Sequence, residues 1–431
     1  MAPPTSSPLA PVQVLYLISF LDLFSVSLIV PSMPSYIKSL GGDAVMIGFV
    51  SSLYGAIQMC TAPLAGVLSD IFDRRLVLLV GIAGAAVGYF ILGASFTISM
   101  VVFSRIPCGV FKHTLSTIRL AVADQTSTKM RAEAMGKINA YSNFGFIFGP
   151  IIGGYIGAYP NGFNYTALLT AAVFVVNYAL VFMYVPPRAP ATKTSPSHED
   201  PSDVDPMIDH FDGTPPPSHD VASIFRAVLA KFSDYRDILK MSPVARNLLL
   251  VRLLMSSAAI VFRSHFMLML EEKYNASSTT RGYVLSYIGV LGAASGLLVG
   301  RLVKWAQSET LLIQAVSVIY LFSYIGIAQS TSLNMVFVLL APQVISVSVL
   351  RACSVSLQTS FVSPESLGGI MGVSDSLTSL ARTAAPLVSG YLYMTSSNGP
   401  AFGAIVLAFL SSVLFYTTIV RSGVAARKHG E

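Results

Sequence analysis

Apolar runs of about 20 residues recur along this 431-residue chain, and about 20 apolar residues are what an α-helix needs to cross the hydrocarbon core of a bilayer. Six runs precede a long polar interruption, at 12–37, 44–68, 76–96, 98–123, 134–159 and 165–184. Six more follow it, at 248–270, 283–303, 311–328, 333–361, 367–394 and 401–420. The sequence therefore predicts an all-α membrane protein with twelve transmembrane helices in two six-helix bundles.

Composition agrees with a membrane protein. Hydrophobic residues make up 53% of the chain and charged residues only 11%, which is outside the range of ordinary soluble domains. The formal net charge of +6 comes mostly from short loops, where orientation in the bilayer explains it, so we expect no nucleic-acid partner. Cys60, Cys108 and Cys353 lie in apolar runs without CxxC or metal-like spacing, and we expect buried thiols and no disulfide.

The polar interruption predicts three parts, with a six-helix bundle at 1–185, a cytoplasmic linker at 186–246 and a second bundle with a short tail at 247–431. The first part of the linker is rich in Pro, Ser, Thr and Asp and is predicted to be disordered. Residues 221–241 place apolar side chains at helical spacing opposite cations. This pattern favours a helix on the inner membrane surface, with a docking site for a cytosolic partner as the alternative.

The distribution of lysine and arginine predicts the orientation. Placing the N-terminus in the cytosol puts most basic residues inside, namely Arg74, Arg75, Lys129, Arg131, those between 188 and 246, Arg301, Lys304, Arg421, Arg427 and Lys428. Only Lys38, Lys273 and Arg281 then lie in outer loops. Both termini are therefore predicted to be cytoplasmic, and the sequons at Asn164 and Asn275 fall in predicted outer loops.

The two halves carry an internal repeat. Met135-Gly136 precedes Pro150 by the interval that separates Met371-Gly372 from Pro386, and the prolines begin the similar runs PIIGGY and PLVSGY. Such a repeat predicts two pseudo-symmetric halves with a substrate site between them near the bilayer midplane.

Four motifs occur in order in the first half: LDLFSVSLIVPSMP at 21–34, GVLSDIFDRRLVLL at 66–79, RIPCG at 105–109 and GFIFGPIIGG at 145–154. Together they resemble the major facilitator superfamily, and their order resembles its twelve-helix drug/proton antiporter and tetracycline-efflux branch. The stretch SRIPCGVFKHTLS, from Ser104 to Ser116, resembles the animal major facilitator superfamily domain-containing protein 9 group. The resemblance implies a transporter in which helices 1, 4, 7 and 10 line the cavity.

The loop between helices 2 and 3 resembles the superfamily motif G-x-L-x-D-x-x-G-R-[KR], with Asp73 in place of the second glycine. The resemblance implies that Asp70 and Arg74 form a latch with Asp124 of helix 4. We expect a charged network that closes the cytoplasmic gate, with simple topology anchoring as the alternative for part of it. The predicted gate residues are Gly66, Asp70, Arg74, Arg75, Asp124 and Arg131.

Helix 5 presents a face of small residues formed by Gly145, Gly149, Gly153 and Gly154, with Pro150 among them. Another helix can approach such a face closely. Two interpretations stay open, a hinge-like contact that takes part in gating and tight packing alone.

Charges inside predicted spans are costly, about 2.5 to 3.5 kcal/mol each on the insertion scale, and each one is a functional-site hypothesis. Asp22 lies near the middle of helix 1 and is either a proton-coupling carboxylate or a static partner of a helix 4 cation. Arg105, Lys112 and Arg119 are seven residues apart and would share one face of helix 4. Arg105 and Arg119 lie near the two ends of helix 4 and can act as membrane anchors that reach the interface.

Lys112 lies too deep to reach the interface, so it either pairs with Asp22 or binds an anionic group of the substrate. His113 is one residue further along and points about 100° away from Lys112 on a helix. It is either a hydrogen-bonded packing residue or a proton relay.

In the second half, Arg252 and Arg263 share a face of helix 7, and His265 lies nearby toward the outside. Arg351 lies deep in helix 10, and Asp375 and Arg382 are two turns apart on helix 11. The deep cations Lys112, Arg252, Arg351 and Arg382 outnumber the deep anions Asp22 and Asp375 by 4 − 2 = 2. This excess favours an organic anion as the substrate.

The sequence contains no Walker loop, metal-ligand cluster or nucleophile elbow, so we expect no enzyme activity, no cofactor and no metal. The predicted function is secondary active transport of a small organic solute, driven by a proton or solute gradient. The predicted partners are that solute, protons and membrane lipids, and the protein is expected to be a monomer. The alternatives are a non-transporting receptor or scaffold that keeps the fold, and a lipid translocator.

Overall fold

The computed structural model describes residues 11–126, 128–187, 243–360 and 367–420. In these ranges the chain is almost entirely helical. The first half contains α1 (Pro11–Leu28), α2 (Met33–Ser39), α3 (Ala44–Ile71), α4 (Arg74–Gly93), α5 (Ile98–Phe111), α6 (Thr114–Gln125), α7 (Thr128–Ile156) and α8 (Gly162–Tyr184). The second half contains α9 (Pro243–Tyr274), α10 (Ser278–Ala306), α11 (Glu309–Gln329), α12 (Leu333–Ser360), α13 (Leu367–Thr395) and α14 (Gly399–Phe415), which a π-helical turn (Tyr416–Val420) follows.

These helices confirm the predicted fold class. In the described ranges, nine spans are long and apolar enough to cross a membrane, and α1 and α2 together form one of them. The α5–α6 pair, α7 and α13 supply the remaining three of the twelve predicted spans. The linker residues 188–242, with the predicted amphipathic helix, and the tail 421–431 lie outside the described residues, and the domain boundaries stay a prediction.

Two predicted spans are broken rather than continuous. Residues 29–32 turn between α1 and α2, where Pro31 and Pro34 remove backbone donors that a continuous helix needs. The prediction of one helix over 98–123 is also wrong, because α5 ends at Phe111 and the next residue, Lys112, has a φ of −79° and a ψ of 61°, which are not helical. The Lys112 carbonyl accepts a hydrogen bond of 3.0 Å from Gln58 Nε2, which stabilises the break.

The halves pack with the symmetry that the repeat predicts. Gly48 of α3 lies against the Pro386 carbonyl of α13, and Gly282 of α10 lies against the Pro150 carbonyl of α7. A Cβ atom at either glycine would overlap that oxygen. Each proline helix therefore contacts the other half through backbone atoms, an approach that only a residue without a side chain permits.

The end of the bundle where α8 ends and α9 begins is here named the linker end, and the opposite one the distal end. The sequence predicts that the linker end is cytoplasmic. At the distal end, Asn164 lies inside α8, and its amide donates to the carbonyls of Gly93 and Ser95 at 2.9 Å each. The expectation that this sequon lies in a loop is wrong, whereas Asn275 is exposed between α9 and α10. All three cysteines are free; Cys108 and Cys353 are buried as expected, whereas the expectation is wrong for Cys60, which is exposed.

Candidate functional site

A cavity of about 490 Å³ lies between the halves, within the usual size range of small-molecule sites. Its walls come mainly from α9, α12 and α13, and α6 of the first half adds one residue. The charged residues of this central cavity are Arg119, Arg252, Arg263, Arg351, Asp375 and Arg382. Five guanidinium groups and one carboxylate therefore meet in one space.

The arginines of the central cavity differ in their partners. Arg252 pairs with Asp375 at 3.4 Å, and Arg119 donates to Asn139 Oδ1 at 3.1 Å. Arg263 lies over the ring of Phe146, 5.4 Å from its centroid. Among the described residues, the exposed side chains of Arg351 and Arg382 have no hydrogen bond or ion pair. The central cavity therefore holds cationic charge that the protein does not neutralise.

A second cavity of about 380 Å³ adjoins the central one and shares Arg263 and Arg351 with it. Its wall includes the aromatic rings of Phe146, Phe262 and Phe266. Together the two spaces place guanidinium groups beside an aromatic wall.

Asp22 and Lys112 form an ion pair. This is one of the two roles that the sequence left open for Lys112. Lys112 Nζ lies 2.5 Å from each carboxylate oxygen of Asp22, and the side chains are 8% and 1% exposed. The ammonium group also lies 5.0 Å from the centroid of the Phe174 ring. Lys112 is thus bound inside the first half and does not line the central cavity.

Arg105 does not have the environment of the interfacial anchor that the sequence predicted. The residue is 7% exposed, and its Nη2 contacts Met33 Sδ at 3.9 Å. Its Nε atom has no partner among the described residues. The expected common face of Arg105, Lys112 and Arg119 is therefore wrong, because the break at Lys112 sends the three side chains to different surroundings.

His113 points away from the central cavity. Its Nε2 atom lies 2.9 Å from Thr61 Oγ1 of α3, and the ring lines an apolar cavity of about 340 Å³ between α3, α4, α5 and α6. This geometry agrees with the expectation that His113 and Lys112 do not share a face, and it favours the hydrogen-bonded packing role.

At the linker end, the gate motif forms part of the predicted network. Arg74 Nε pairs with Asp124 Oδ2 at 3.1 Å, and Asp73 is the N-cap of α4. Arg75 contacts the Phe182 carbonyl and ring in α8 instead, and Arg131 donates to the Ala123 carbonyl at 3.3 Å. The Asp70 side chain lies outside the described residues, and near Gly66 there is room for a Cβ atom.

The four glycines of predicted helix 5, which is α7 in the structure, pack against two different helices. Gly145, Gly149 and Gly153 of α7 pack on the backbone and Ser27 of α1, whereas Gly154 packs on α10 in the other half. Three of the glycines thus hold the first half together, and only Gly154 lies at the contact between halves.

Ionic contacts at the distal end were not predicted. Lys38 of α2 pairs with Glu272 of α9 at 2.5 Å, and Ser35 of α2 binds Glu271 and Arg281 of the second half. These bonds join the halves at this end. The adjacent Glu271 and Glu272 at the end of a span were the available signal, but the sequence does not show which loops of the two halves meet.

The described residues contain no group of three His, Cys, Asp or Glu side chains that could hold a metal ion. The candidate site therefore consists of the arginines, Asp375 and the aromatic wall.

Comparison with known proteins agrees with this architecture. The model of the family described as Major Facilitator Superfamily matches residues 15–327, more than half of the chain. Solute carrier family 22 member 18 of Mus musculus is 27% identical over 401 residues, covering 91% of each chain. The class D tetracycline resistance protein of Salmonella ordonez is 33% identical over 194 residues, which are 44% of this chain and 48% of that protein.

The crystal structure of the human organic anion transporter MFSD10 (TETRAN) superposes with a TM-score of 0.63 at 22% identity, covering 94% of this chain and 98% of that one. At this identity the likeness shows the fold. The predicted resemblance to the tetracycline-efflux branch is confirmed, and the narrower group stays a prediction. These relatives are transporters rather than enzymes, and the chain is a multi-pass membrane transporter that belongs to the major facilitator superfamily.

Proposed function

We propose that this transporter carries organic anions through the central cavity by alternating access, coupled to protons. The observation that carries the proposal is the pair Arg351 and Arg382, whose exposed guanidinium groups have no partner in the described residues. Such groups are available to a ligand, and a carboxylate, sulfonate or phosphate group of the substrate supplies the counter-charge. Guanidinium groups bind such groups through two parallel hydrogen bonds.

The wall of the adjoining cavity narrows the substrate class. Phe146, Phe262 and Phe266 lie beside the shared Arg263 and Arg351, so an anion with an aromatic or apolar body contacts the rings while its charged group meets the arginines. The human structural neighbour is described as an organic anion transporter, which supports the same class.

The contacts between the halves support alternating access. The Lys38–Glu272 and Ser35–Glu271 bonds join the halves at the distal end, while the arginine-lined cavity reaches Arg119 and Asp375 toward the linker end. A structure closed at one end with a cavity at the midplane is one state of a rocking cycle. We place the linker end and both termini in the cytoplasm, as the distribution of basic residues predicts.

The test is transport by the purified protein in proteoliposomes. Naphthalene sulfonate, its neutral sulfonamide and naphthylmethylamine have the same aromatic body and different charge. We expect saturable uptake of the sulfonate, accompanied by a change in internal pH, and none of the amine above protein-free vesicles. Saturable uptake of the amine but not the sulfonate would overturn the anion proposal. Binding of the sulfonate without flux in either direction would favour the receptor alternative.

A further inference from the structure

His265 of α9 is a buried histidine at the contact between the halves. It is 1% exposed, and its Nε2 atom lies 2.8 Å from the carbonyl oxygen of Ala44 in α3 of the first half. Its Nδ1 atom lies 2.7 Å from Ser389 Oγ of α13, and Ser389 Oγ lies 2.6 Å from the Val261 carbonyl oxygen. Three short polar contacts thus form one chain.

The number of protons in this chain determines the charge of the ring. A carbonyl oxygen only accepts hydrogen bonds, so the Ala44 contact requires a proton on Nε2. The Val261 contact requires the single Ser389 hydroxyl proton, and the Nδ1 contact then requires a proton on Nδ1. A neutral imidazole and one hydroxyl supply two protons for three contacts, whereas the imidazolium supplies all three.

We propose that His265 is a proton-binding site and that its protonated form locks the distal ends of the two halves together. The proposal deepens the proton coupling proposed above and rests on it. In the protonated form, Nε2–H donates to Ala44, Nδ1–H donates to Ser389, and Ser389 donates to Val261. In the neutral form, Ser389 turns its hydroxyl to Nδ1, and the Val261 carbonyl keeps only its bond within α9.

The positive charge on the protonated His265 ring is stable only when the distal end is closed. Burial penalises a charged ring, so the proton is stable only while Ala44 and Ser389 both accept from it. Ala44 belongs to the first half, and Gly390 of α13 packs directly on its carbonyl. Opening of the distal end removes this acceptor and releases the proton. By linkage, protonation favours closure to the same degree.

The surroundings connect His265 to the distal ion pair. The ring of Tyr393 stacks on His265, with centroids 5.4 Å apart, and the Tyr393 hydroxyl donates to Glu272 at 2.6 Å. Glu272 in turn binds Lys38 of the first half. The other ionisable groups on α9 and on the helices packed against it include Asp43, Arg263, Glu271, Arg281, Arg351, Asp375 and Arg382. Among the described residues, none of these groups forms a hydrogen bond, an ion pair or a ring contact with His265.

The experiment measures closure directly and needs no substrate. Spin labels at Ser39→Cys and Thr395→Cys, both exposed at the distal end, report the distance between halves in a Cys60→Ser background. We expect acidification to shift the distance distribution of the full-length protein toward the short distance. His265→Gln keeps one donor and one acceptor but cannot take up the proton, so the pH dependence should disappear. Ser389→Ala removes an acceptor of the imidazolium and should move the midpoint about one pH unit lower.

His113→Gln is the matched control, because that ring bonds Thr61 within the first half. The proposal is overturned if His265→Gln keeps the pH dependence, if acid opens the distal end, or if His113→Gln rather than His265→Gln abolishes the response. Ser389→Ala keeps the proposal testable if His265→Gln does not yield folded protein, since an unchanged midpoint contradicts it. Failure of anion uptake with an intact pH response would count against the proposed substrate alone.

Discussion

The two halves hold their membrane-embedded charges in opposite ways. In the first half, Lys112 and Asp22 neutralise each other and are 8% and 1% exposed. In the second half, Arg351 and Arg382 are exposed in a cavity and have no partner in the described residues. Depth in the membrane therefore does not by itself mark a substrate site. A deep charge is available to a ligand only where the protein leaves it unpaired.

The largest effect on stability is expected from breaking the buried pair of Asp22 and Lys112. Asp22→Asn leaves the Lys112 ammonium buried without a counter-charge, and we expect it to lower the free energy of unfolding by about 3 to 5 kcal/mol. The thermal unfolding midpoint measures this. The double variant Asp22→Asn with Lys112→Met should recover most of the loss, because it removes both charges. A single variant as stable as the wild type would show that the pair does not hold the first half together.

Removing an unpaired arginine should affect binding rather than folding. Arg351→Gln deletes one charged hydrogen-bond donor to the substrate, and we expect about 10- to 100-fold weaker binding of naphthalene sulfonate with little change in the unfolding midpoint. Lys304→Gln, which removes an exposed cation of α10 that does not line the central cavity, is the control. If both variants weaken binding equally, the effect is one of general charge.

A smaller effect on substrate affinity is expected from freeing Arg252, which Asp375 neutralises. Asp375 is 79% exposed and lies 3.4 Å from Arg252, so Asp375→Asn frees a cation for the substrate. We expect the affinity for the sulfonate to rise about two- to five-fold, as an exposed ion pair of below about 1 kcal/mol permits. The affinity for the neutral sulfonamide should stay constant. A lower affinity for the sulfonate would show that Asp375 itself contacts the ligand.

The smallest change in stability is expected from breaking the exposed pair of Lys38 and Glu272 at the distal end. Lys38 and Glu272 are 52% and 28% exposed, so Lys38→Ala should cost less than about 1 kcal/mol of unfolding free energy. It should nevertheless increase the population that is open at the distal end, measured with the Ser39 and Thr395 spin labels. Lys137→Ala breaks the exposed Lys137–Glu133 pair within α7 and should leave that population unchanged. Equal distance distributions in both variants would exclude a gating role for Lys38.

Much of the fold could be predicted because length, hydropathy and the repeat are local properties. The apolar runs predicted the spans, and the equal spacing before Pro150 and Pro386 predicted two pseudo-symmetric halves. The contacts of these prolines with Gly282 and Gly48 became visible only in the structure. The break at Lys112 could not be predicted in this way. Its causes are tertiary, a hydrogen bond from Gln58 and an ion pair with Asp22.

The candidate site was predictable in part for the same reason. The sequence identified Arg252, Arg351, Asp375 and Arg382 as deep charges, and the structure brings them together in one cavity. It could not decide whether Lys112 faces a ligand or Asp22, because that depends on the distance between two helices. His265 was visible only as a histidine near the outer side, since its role depends on Ala44 and Ser389, which lie 221 and 124 residues away.

The ratio of affinities for naphthalene sulfonate and its neutral sulfonamide, measured in the wild type and in Arg351→Gln, tests whether the central cavity selects an anionic group. The two ligands share one aromatic body, so the ratio isolates the recognition of the charge. We predict strong preference for the sulfonate in the wild type and a ratio that falls about 10-fold or more in Arg351→Gln. A ratio near one in the wild type, or one that Arg351→Gln leaves unchanged, would show that the central cavity does not select anions through Arg351.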